Sequence, residues 1–273
     1  MAFSAVHQEV SSEWDAAFYH GVMGAQQVGL ARRLFELLPT DLSGLVIDGG
    51  CGSGPVDHAL LEQFPEAHLL AFDLSAQMLT LARRELLPAF EGRVSFQQDD
   101  LQTFVQPASA TCFFSNAAMH WVRDHDAMFE HIASTLLPGG VLATHMAWCG
   151  PLNSAWFQRM RALLRTPRFA AYGAEAMSDI ERISPSRERR ALLRAGFSEI
   201  RVEADSHAFF FDDAAQQRLF YEKVVLRTQV ERLPLPLRTE LIDAAIAYAD
   251  ATAGPLTQQF EFLRCTARRP TPT

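Results

Sequence analysis

The sequence predicts an α/β fold in which a mostly parallel sheet of seven strands carries helices on both faces. Short apolar runs alternate with stretches whose apolar residues recur at helical spacing, as in successive βαβ units. A glycine cluster at 49–54 follows directly after the first apolar run, as happens where a buried parallel strand ends in a tight turn. With 273 residues, 48 % of them hydrophobic and 21 % charged, the chain is large enough to bury such a core.

The first half of the chain supplies five strands and the helices between them. A helix is expected from Trp14 to Leu38, with a break near Gly24. Pro55 can open the helix after the first strand, and Ser75 and Asp124 can cap two later ones. The turn at 138–140, Pro-Gly-Gly, is expected to end the last of these helices after residue 137. The predicted strands are apolar runs at 44–47, 69–72, 94–96, 112–114 and 141–146.

The second half is less regular and inserts helical stretches among the late strands. Such insertions commonly form a cap over the carboxyl edge of the sheet, where ligands bind. Helices are expected at 155–164, 185–194, 213–232 and 237–250, and strands at 199–211 and 259–268. The predicted organisation is an N-terminal helical cap at 1–40, a sheet core at 41–147 and 185–211, cap insertions at 148–184 and 212–258, and a final strand and tail at 259–273.

Charge and cysteine content exclude several classes of function. The net charge is −8, from 24 basic and 32 acidic residues, so broad nucleic-acid binding is not expected. The four cysteines are scattered, which argues against a metal site or a disulfide framework and favours the reduced cytoplasm. No basic start followed by an apolar run indicates a secretory signal, and no apolar run approaches the ~18 residues of a membrane span.

The most informative motif is the glycine loop after the first strand. Gly50, Gly52 and Gly54 alternate, so the backbone can take positive φ and a ligand can approach closely. The spacing G-x-G-x-G is neither the dinucleotide fingerprint G-x-G-x-x-G nor a P-loop. Asp48, just before the glycines, would repel a pyrophosphate but suits an ammonium or sulfonium group. A tight strand–helix turn without a ligand is the alternative.

Acidic residues follow the next two strands. Asp73 lies 19 residues after Gly54, close to the ~20 expected of an acid that accepts from ribose hydroxyls, although it could instead cap a helix. Asp99 and Asp100 follow the third strand, where one of them could accept from an adenine amino group while Leu101 packs on the base. Solvated loop acids are the alternative for this pair.

Taken together, these motifs resemble those of the class I S-adenosylmethionine-dependent methyltransferases. The resemblance covers about residues 40–146 and includes the Leu-Leu-Pro-Gly-Gly-Val-Leu run at 136–142. It implies a Rossmann-like fold, S-adenosylmethionine as cofactor, and no metal. Gly49 departs from the family, which usually has leucine or valine there. The implied cofactor-binding residues are Tyr19, Asp48, Gly50, Cys51, Gly52, Gly54, Asp73, Leu74, Met78, Asp99, Asp100, Leu101 and Asn116, with Asp100 fitting the family's acid-then-apolar pattern better than Asp99.

The segment after the fourth strand indicates the acceptor. Its Asn-x-x-x-His-Trp pattern, Asn116 to Trp121, resembles the trans-aconitate, malonyl-carrier and juvenile-hormone-acid methyltransferases, which esterify carboxylates. The resemblance implies methylation of a small molecule, free or carrier-bound, in which His120 and Trp121 donate hydrogen bonds to the carboxylate and Gln26 also binds the acceptor. A carboxylate is already a nucleophile, so no general base is needed. A hydroxyl, amine or carbon acceptor, for which His120 could be a base, and non-methylating chemistry on the same fold remain open.

Overall fold

The computed structural model describes residues 16–173 and 183–272. Within these ranges the strands are β1 (Gly44–Gly49), β2 (Ala67–Asp73), β3 (Val94–Gln98), β4 (Ala110–Asn116), β5 (Leu136–Ala147), β6 (Ser198–Phe210) and β7 (Thr257–Arg268). The helices are α1 (Ala16–Phe35), α2 (Pro55–Gln63), α3 (Ala76–Phe90), α4 (His125–Thr135), α5 (Pro151–Leu164), α6 (Pro167–Ala170), α7 (Pro185–Arg194), α8 (Ala214–Phe220), α9 (Arg227–Val230) and α10 (Leu235–Ala253). A 3₁₀ turn spans Met119–Trp121, and a π-helical turn spans Tyr221–Val225.

The seven strands form one sheet in the order β3-β2-β1-β4-β5-β7-β6. The strands from β3 to β5 pair in parallel, whereas β7 runs antiparallel to both β5 and β6. The predicted Rossmann-like, mostly parallel sheet of seven strands is therefore confirmed. Because the chain leaves β1 toward β2 on one side and returns to β4 on the other, a crevice opens at the carboxyl ends of β1 and β4, where such folds bind their ligands.

Capping explains where the helices of the first half begin. Pro55 occupies the first turn of α2, the Ser75 hydroxyl accepts from the Met78 N–H, and the Asp124 carboxylate accepts from the Ala127 N–H, all as predicted. The predicted end of α4 after residue 137 is wrong, because Leu136 already pairs with Ala110 as the first residue of β5.

The N-terminal helix has no break at Gly24, contrary to expectation. A Cβ at this glycine would lie 3.1 Å from Cγ of Pro55, so the missing side chain lets α1 approach the start of α2. The glycine is thus explained by close packing between helices and not by a bend. Trp14, the expected start of the helix, lies outside the described residues.

The helix expected over 213–232 is interrupted. It divides into α8, the π-helical turn and α9, and the wider turn leaves Phe220 and Tyr221 both buried. The Tyr221 hydroxyl donates to the Gln258 side chain at the start of β7. The last helix, α10, begins at Leu235 rather than at 237, with Pro236 in its first turn.

Three apolar clusters organise the molecule. The first packs α1, α2 and α3 on one face of the sheet, and the second packs α4 and α7 on the other. The third joins α1 to α5, α6 and the helices from α8 to α10, above the ends of β5 and β6. These helices include the late insertions, which the sequence analysis expected to form a helical cap. Among the described helices, none has the length and apolar character to cross a membrane.

Candidate active site

The glycine loop leaves β1 in a conformation that only glycine adopts without strain. Gly50, Gly52 and Gly54 have φ of +79°, +58° and +96°. The N–H groups of Gly50 and Cys51 both donate to the Phe72 carbonyl, at 2.8 and 3.0 Å, which ties the loop to the end of β2. The alternation seen in the sequence is therefore required by the backbone.

The surroundings of the loop glycines differ. A Cβ at Gly50 would lie 2.3 Å from Cβ of Ala118, so the segment after β4 presses directly on the loop. A Cβ at Gly52 would meet nothing within 4 Å, which leaves room for a ligand. At Gly49 a Cβ would lie 2.4 Å from Cδ1 of Leu101. Leu101 thus fills the space beside Gly49, which accounts for glycine at a position where the family usually has a larger residue.

Asp73, at the end of β2, joins the loop to α3. Its Oδ2 accepts from the Gly52 N–H at 2.9 Å, and its Oδ1 accepts from the Ser75 N–H at 2.8 Å. Burial raises the pKa of Asp73, and these N–H groups oppose the rise. A carboxylate oxygen has two lone pairs, so each oxygen can accept one more hydrogen bond from a ligand.

A second buried carboxyl group, missed by the sequence analysis, faces Asp48. Asp57 lies in the first turn of α2 and is fully buried. Within the described residues no N–H or O–H donor reaches its oxygens or Oδ1 of Asp48, so the two carboxyl groups hold a proton between them. Burial raises the pKa of Asp48 to about 7, and burial and the Asp48 charge raise the pKa of Asp57 well above its usual range. Such a site favours a cationic ligand.

The residues expected around adenine lie after β2 and β3. Asp99 accepts from the Gln97 side chain at 2.7 Å, and Asp100 accepts from the Gln102 N–H at 2.9 Å. Leu74 is exposed and Met78 is buried in the first turn of α3. Both acids are thus held by hydrogen bonds at one end of the sheet.

The first helix closes over this edge of the sheet. The His20 ring and the Ser53 hydroxyl are 3.1 Å apart, which joins α1 to the glycine loop. The Gln27 side chain accepts from Asn116 Nδ2 at 2.8 Å and donates to the Tyr19 hydroxyl at 3.2 Å. Burial, followed by the Asp73 charge, raises the pKa of Tyr19 to about 12, so the phenol stays protonated beside the loop.

Gln26 and Gln27 have different partners. Gln26, expected at the acceptor, donates to the Phe210 carbonyl at the end of β6, whereas Gln27, which the sequence analysis passed over, meets Asn116. Successive residues on a helix point about 100° apart, so the two side chains face different neighbours, which only the packing of α1 identifies.

The end of β4 carries an unsatisfied acceptor and a strained residue. Oδ1 of Asn116 is buried and has no hydrogen-bond partner in the described part of the chain. Ala117, the next residue, has φ of +57°, a conformation that costs a non-glycine residue roughly 1–2 kcal/mol. Strain and an orphaned acceptor in adjacent residues are typical of a ligand site.

His120 lies in the 3₁₀ turn beyond β4. Its Nδ1 accepts a hydrogen bond from the Ala147 N–H at 3.3 Å, so in the neutral ring the proton is on Nε2. Burial, and then the neighbouring His125, lower the pKa of His120 to about 3. The ring is therefore a neutral hydrogen-bond donor and a poor base.

Trp121 lies beside His120, whereas three phenylalanines of the second half of the chain lie in the cap. Trp121 is 51 % exposed, and its ring centroid lies 5.0 Å from that of His120. Phe209, Phe211 and Phe220 are buried in the cap cluster, so core packing accounts for them. Among the residues that the structure describes, no group of His, Cys, Asp and Glu could hold a metal ion, and Cys51, Cys112 and Cys265 are free thiols.

Comparison with known proteins identifies the class. The methyltransferase domain family matches residues 46–140. A trans-aconitate 2-methyltransferase of Afipia carboxidovorans is 32 % identical over 221 residues, which are 80 % of this chain and 82 % of that protein. The chain belongs to the class I S-adenosylmethionine-dependent methyltransferases. Within this class it lies near the trans-aconitate methyltransferase type, since a second such enzyme, from Rhizobium meliloti, is 29 % identical over 234 residues, or 85 % of this chain and 87 % of that one.

Solved structures share the fold at low identity. Phosphoethanolamine N-methyltransferase 2 of Haemonchus contortus, in complex with S-adenosyl-L-methionine, has a TM-score of 0.60 and 17 % identity, and the match covers 94 % of this chain and 57 % of that one. The [4+2]-cyclase SpnF has a TM-score of 0.56 and 18 % identity over 90 % of this chain and 81 % of that one. At these identities the likeness concerns the fold alone.

The residues at the crevice fit S-adenosylmethionine, the cofactor of this class. Open space adjoins Gly52, the buried Oδ1 of Asn116 has no donor among residues 16–173 and 183–272, and the carboxyl groups of Asp48, Asp57 and Asp73 favour a cation. The cofactor carries an ammonium and a sulfonium group, which complement these features.

Proposed function

We propose that this enzyme transfers the methyl group of S-adenosylmethionine to a carboxylate oxygen of a small-molecule acceptor, free or carrier-bound. The observation that carries the proposal is the state of His120. Its Nδ1 is occupied by the Ala147 N–H, and its pKa is lowered to about 3 by burial. A ring in this state can donate from Nε2 but cannot take a proton from a hydroxyl, so it suits an acceptor that is already anionic.

We assign residues to each part of S-adenosylmethionine from the hydrogen-bonding and charged groups that the site presents. Asp73 would accept from the ribose hydroxyls, and Asp100, or else Asp99, would accept from the adenine amino group, with Leu74, Met78 and Leu101 beside the base. The loop from Gly50 through Cys51 and Gly52 to Gly54, together with Asp48, would hold the methionine end. Tyr19 and Asn116 would close this end, because Gln27 on α1 bonds both side chains.

The chemistry requires alignment and exclusion of water more than acid or base catalysis. When bound, the cofactor supplies an electrophilic methyl group on sulfur and leaves as S-adenosylhomocysteine. The chain orients the acceptor: His120 donates from Nε2 to one carboxylate oxygen, and the other oxygen is left to form the ester bond, with no proton transferred. Holding the reactants in line in a closed site can contribute roughly 7–11 kcal/mol. We keep Trp121, whose ring lies beside His120, as a further acceptor contact, whereas Gln26 would reach an acceptor only by leaving the Phe210 carbonyl.

The relatives support a polycarboxylate as the first acceptor to test. Both relatives described above are trans-aconitate 2-methyltransferases. Purified enzyme would be incubated with S-adenosylmethionine and trans-aconitate, with a monocarboxylate, and with matched hydroxyl and amine compounds. Mass spectrometry would follow the methylated product and S-adenosylhomocysteine together. The expected product is a methyl ester that releases methanol in alkali, with one S-adenosylhomocysteine per ester.

Other outcomes contradict the proposal in distinct ways. An alkali-stable methyl product would indicate a hydroxyl, amine or carbon acceptor. Turnover without S-adenosylhomocysteine would indicate non-methylating chemistry.

His120 provides a sharper test. His120→Phe keeps a ring but removes the donor, and a hydrogen bond to a charged group is worth about 1.5–3 kcal/mol, so kcat/KM should fall about ten- to hundredfold. His120→Asn, which can still donate, should retain more activity. A wild-type rate that rises through neutral pH with the titration of an enzymic base would contradict the assignment of His120 as a neutral donor.

A further inference from the structure

Behind the 3₁₀ turn lies a buried pair that the proposed chemistry does not use. His125, the first residue of α4, places Nδ1 2.6 Å from Oε2 of Glu188 on α7. His125 is 3 % exposed and Glu188 is fully buried. On its other side, Nε2 of His125 lies 3.1 Å from the carbonyl oxygen of Met119, the first residue of the turn. The pair therefore joins α7 to the backbone that carries His120.

The partners of His125 fix the direction of its hydrogen bonds. A backbone carbonyl can only accept, so Nε2 carries a proton and donates to the Met119 oxygen. Between Nδ1 and the Glu188 carboxyl group one shared proton completes the second bond. The Met119 oxygen also accepts from the Val122 N–H at 3.0 Å. One oxygen thus bonds both the His125 ring and the backbone at the end of the turn, which holds the turn in place.

We propose that His125 and Glu188 are positioning residues that hold the Met119–Trp121 turn so that Nε2–H of His120 faces the acceptor. This inference rests on the role proposed for His120. Neither residue of the pair touches the reacting groups, so both act through the turn.

The proposal is tested by replacing the pair while preserving packing. In the double variant His125→Leu/Glu188→Leu both partners disappear together, so neither is left unpaired, and apolar replacement of a buried ion pair is often neutral or stabilising. A displacement of about 1 Å at a reacting group can cost about 100-fold, so kcat should fall by about that factor while affinity for S-adenosylmethionine, measured by calorimetry, stays within about twofold.

A surface ion pair between the same helices is the matched control. Asp126 on α4 pairs with Arg194 on α7, and both side chains are about half exposed. Asp126→Asn/Arg194→Gln should leave kcat near the wild-type value. Wild-type kcat in the buried-pair variant, or an equal loss in the surface control, would overturn the proposal. If the double variant does not fold, Glu188→Gln replaces it. The amide keeps the size of the side chain but bonds Nδ1 of His125 less strongly than the carboxyl group does, so kcat should fall.

Nitrogen-15 spectra of the histidine side chains give a readout that needs no acceptor. In the wild-type enzyme Nε2 of His125 should be protonated, and His120 should show a protonated Nε2 and a bare Nδ1. In the double variant His120 should become a mixture of tautomers. A bare Nε2 at His125 in the wild-type enzyme, or an unchanged His120 in the double variant, would overturn the proposal. Absence of carboxylate methylation would reject the proposed function while this test still decides the positioning role.

Discussion

Replacing Gly50 with alanine should destabilise the enzyme more than the same change at Gly52. At Gly50 the new methyl group would lie 2.3 Å from Cβ of Ala118, whereas non-bonded carbons rest about 3.5–4.0 Å apart. Either the loop or the segment after β4 must therefore move by more than about 1 Å. At Gly52 the methyl group would enter open space.

The magnitude follows from two contributions. Positive φ costs alanine roughly 1–2 kcal/mol at either position. Overpacking adds about 1–3 kcal/mol at Gly50 alone. The free energy of unfolding should thus fall by about 2–5 kcal/mol for Gly50→Ala and by about 1–2 kcal/mol for Gly52→Ala. Because the space beside Gly52 is where we place the cofactor, Gly52→Ala should weaken S-adenosylmethionine binding despite its smaller effect on stability.

Denaturant unfolding and calorimetric titration would measure these quantities, and a double-mutant cycle isolates the contact. In Gly50→Ala/Ala118→Gly the atom nearest to the new methyl group is Cα of residue 118 at 3.8 Å, which is an ordinary contact. The free energy of unfolding should therefore be about 1–3 kcal/mol higher than the sum of the single effects predicts. Additive effects of the two substitutions, or equal destabilisation at Gly50 and Gly52, would refute the reasoning from close approach.

Three further predictions concern polar groups around the loop. Asp73→Asn turns one acceptor into an NH₂ group facing a backbone N–H, so S-adenosylmethionine should bind at least about tenfold more weakly by calorimetry, and unchanged affinity would contradict the ribose assignment. Gln27→Ala removes the acceptor of Asn116 and should raise the cofactor Kd more than Gln26→Ala does, whereas equal effects would argue against α1 closing through Gln27. Because the pKa of Asp57 is raised by folding, the native state holds protons that the unfolded state has lost, and the stability of the unliganded enzyme should fall as pH rises from about 4 to about 7. Asp57→Asn should flatten this slope in unfolding measured across that range, and an unchanged slope would contradict the shared proton.

The sequence predicted the features that depend on local backbone requirements. Alternating glycines after an apolar run can only be a tight turn with positive φ, and a carboxylate after the next parallel strand must reach the same edge of the sheet. The caps at Ser75 and Asp124 are local in the same sense, since each side chain bonds an N–H three residues on.

Features that depend on long-range packing were not predictable in this way. Asp57 has the position of an ordinary acid in the first turn of a helix, where the dipole favours negative charge, and only the fold shows that it faces Asp48. His125 and Glu188 are 63 residues apart, so no spacing rule pairs them. The state of His120 depends on the N–H of Ala147, which reaches it only because β5 lies beside β4.

The neutrality of His120 has a consequence for the choice of acceptor. A protonated ring would bind a carboxylate as a salt bridge, and the bond would withdraw charge from the oxygen that must attack. A neutral N–H binds the same group less strongly and leaves the second oxygen more nucleophilic. Negative charge in the crevice comes from Asp48, Asp57 and Asp73, on the side where the cofactor is placed. Joining an anionic acceptor to a cationic methyl donor removes both charges, and a site closed to water favours that loss, whereas transfer to a neutral amine would leave a cation to be stabilised.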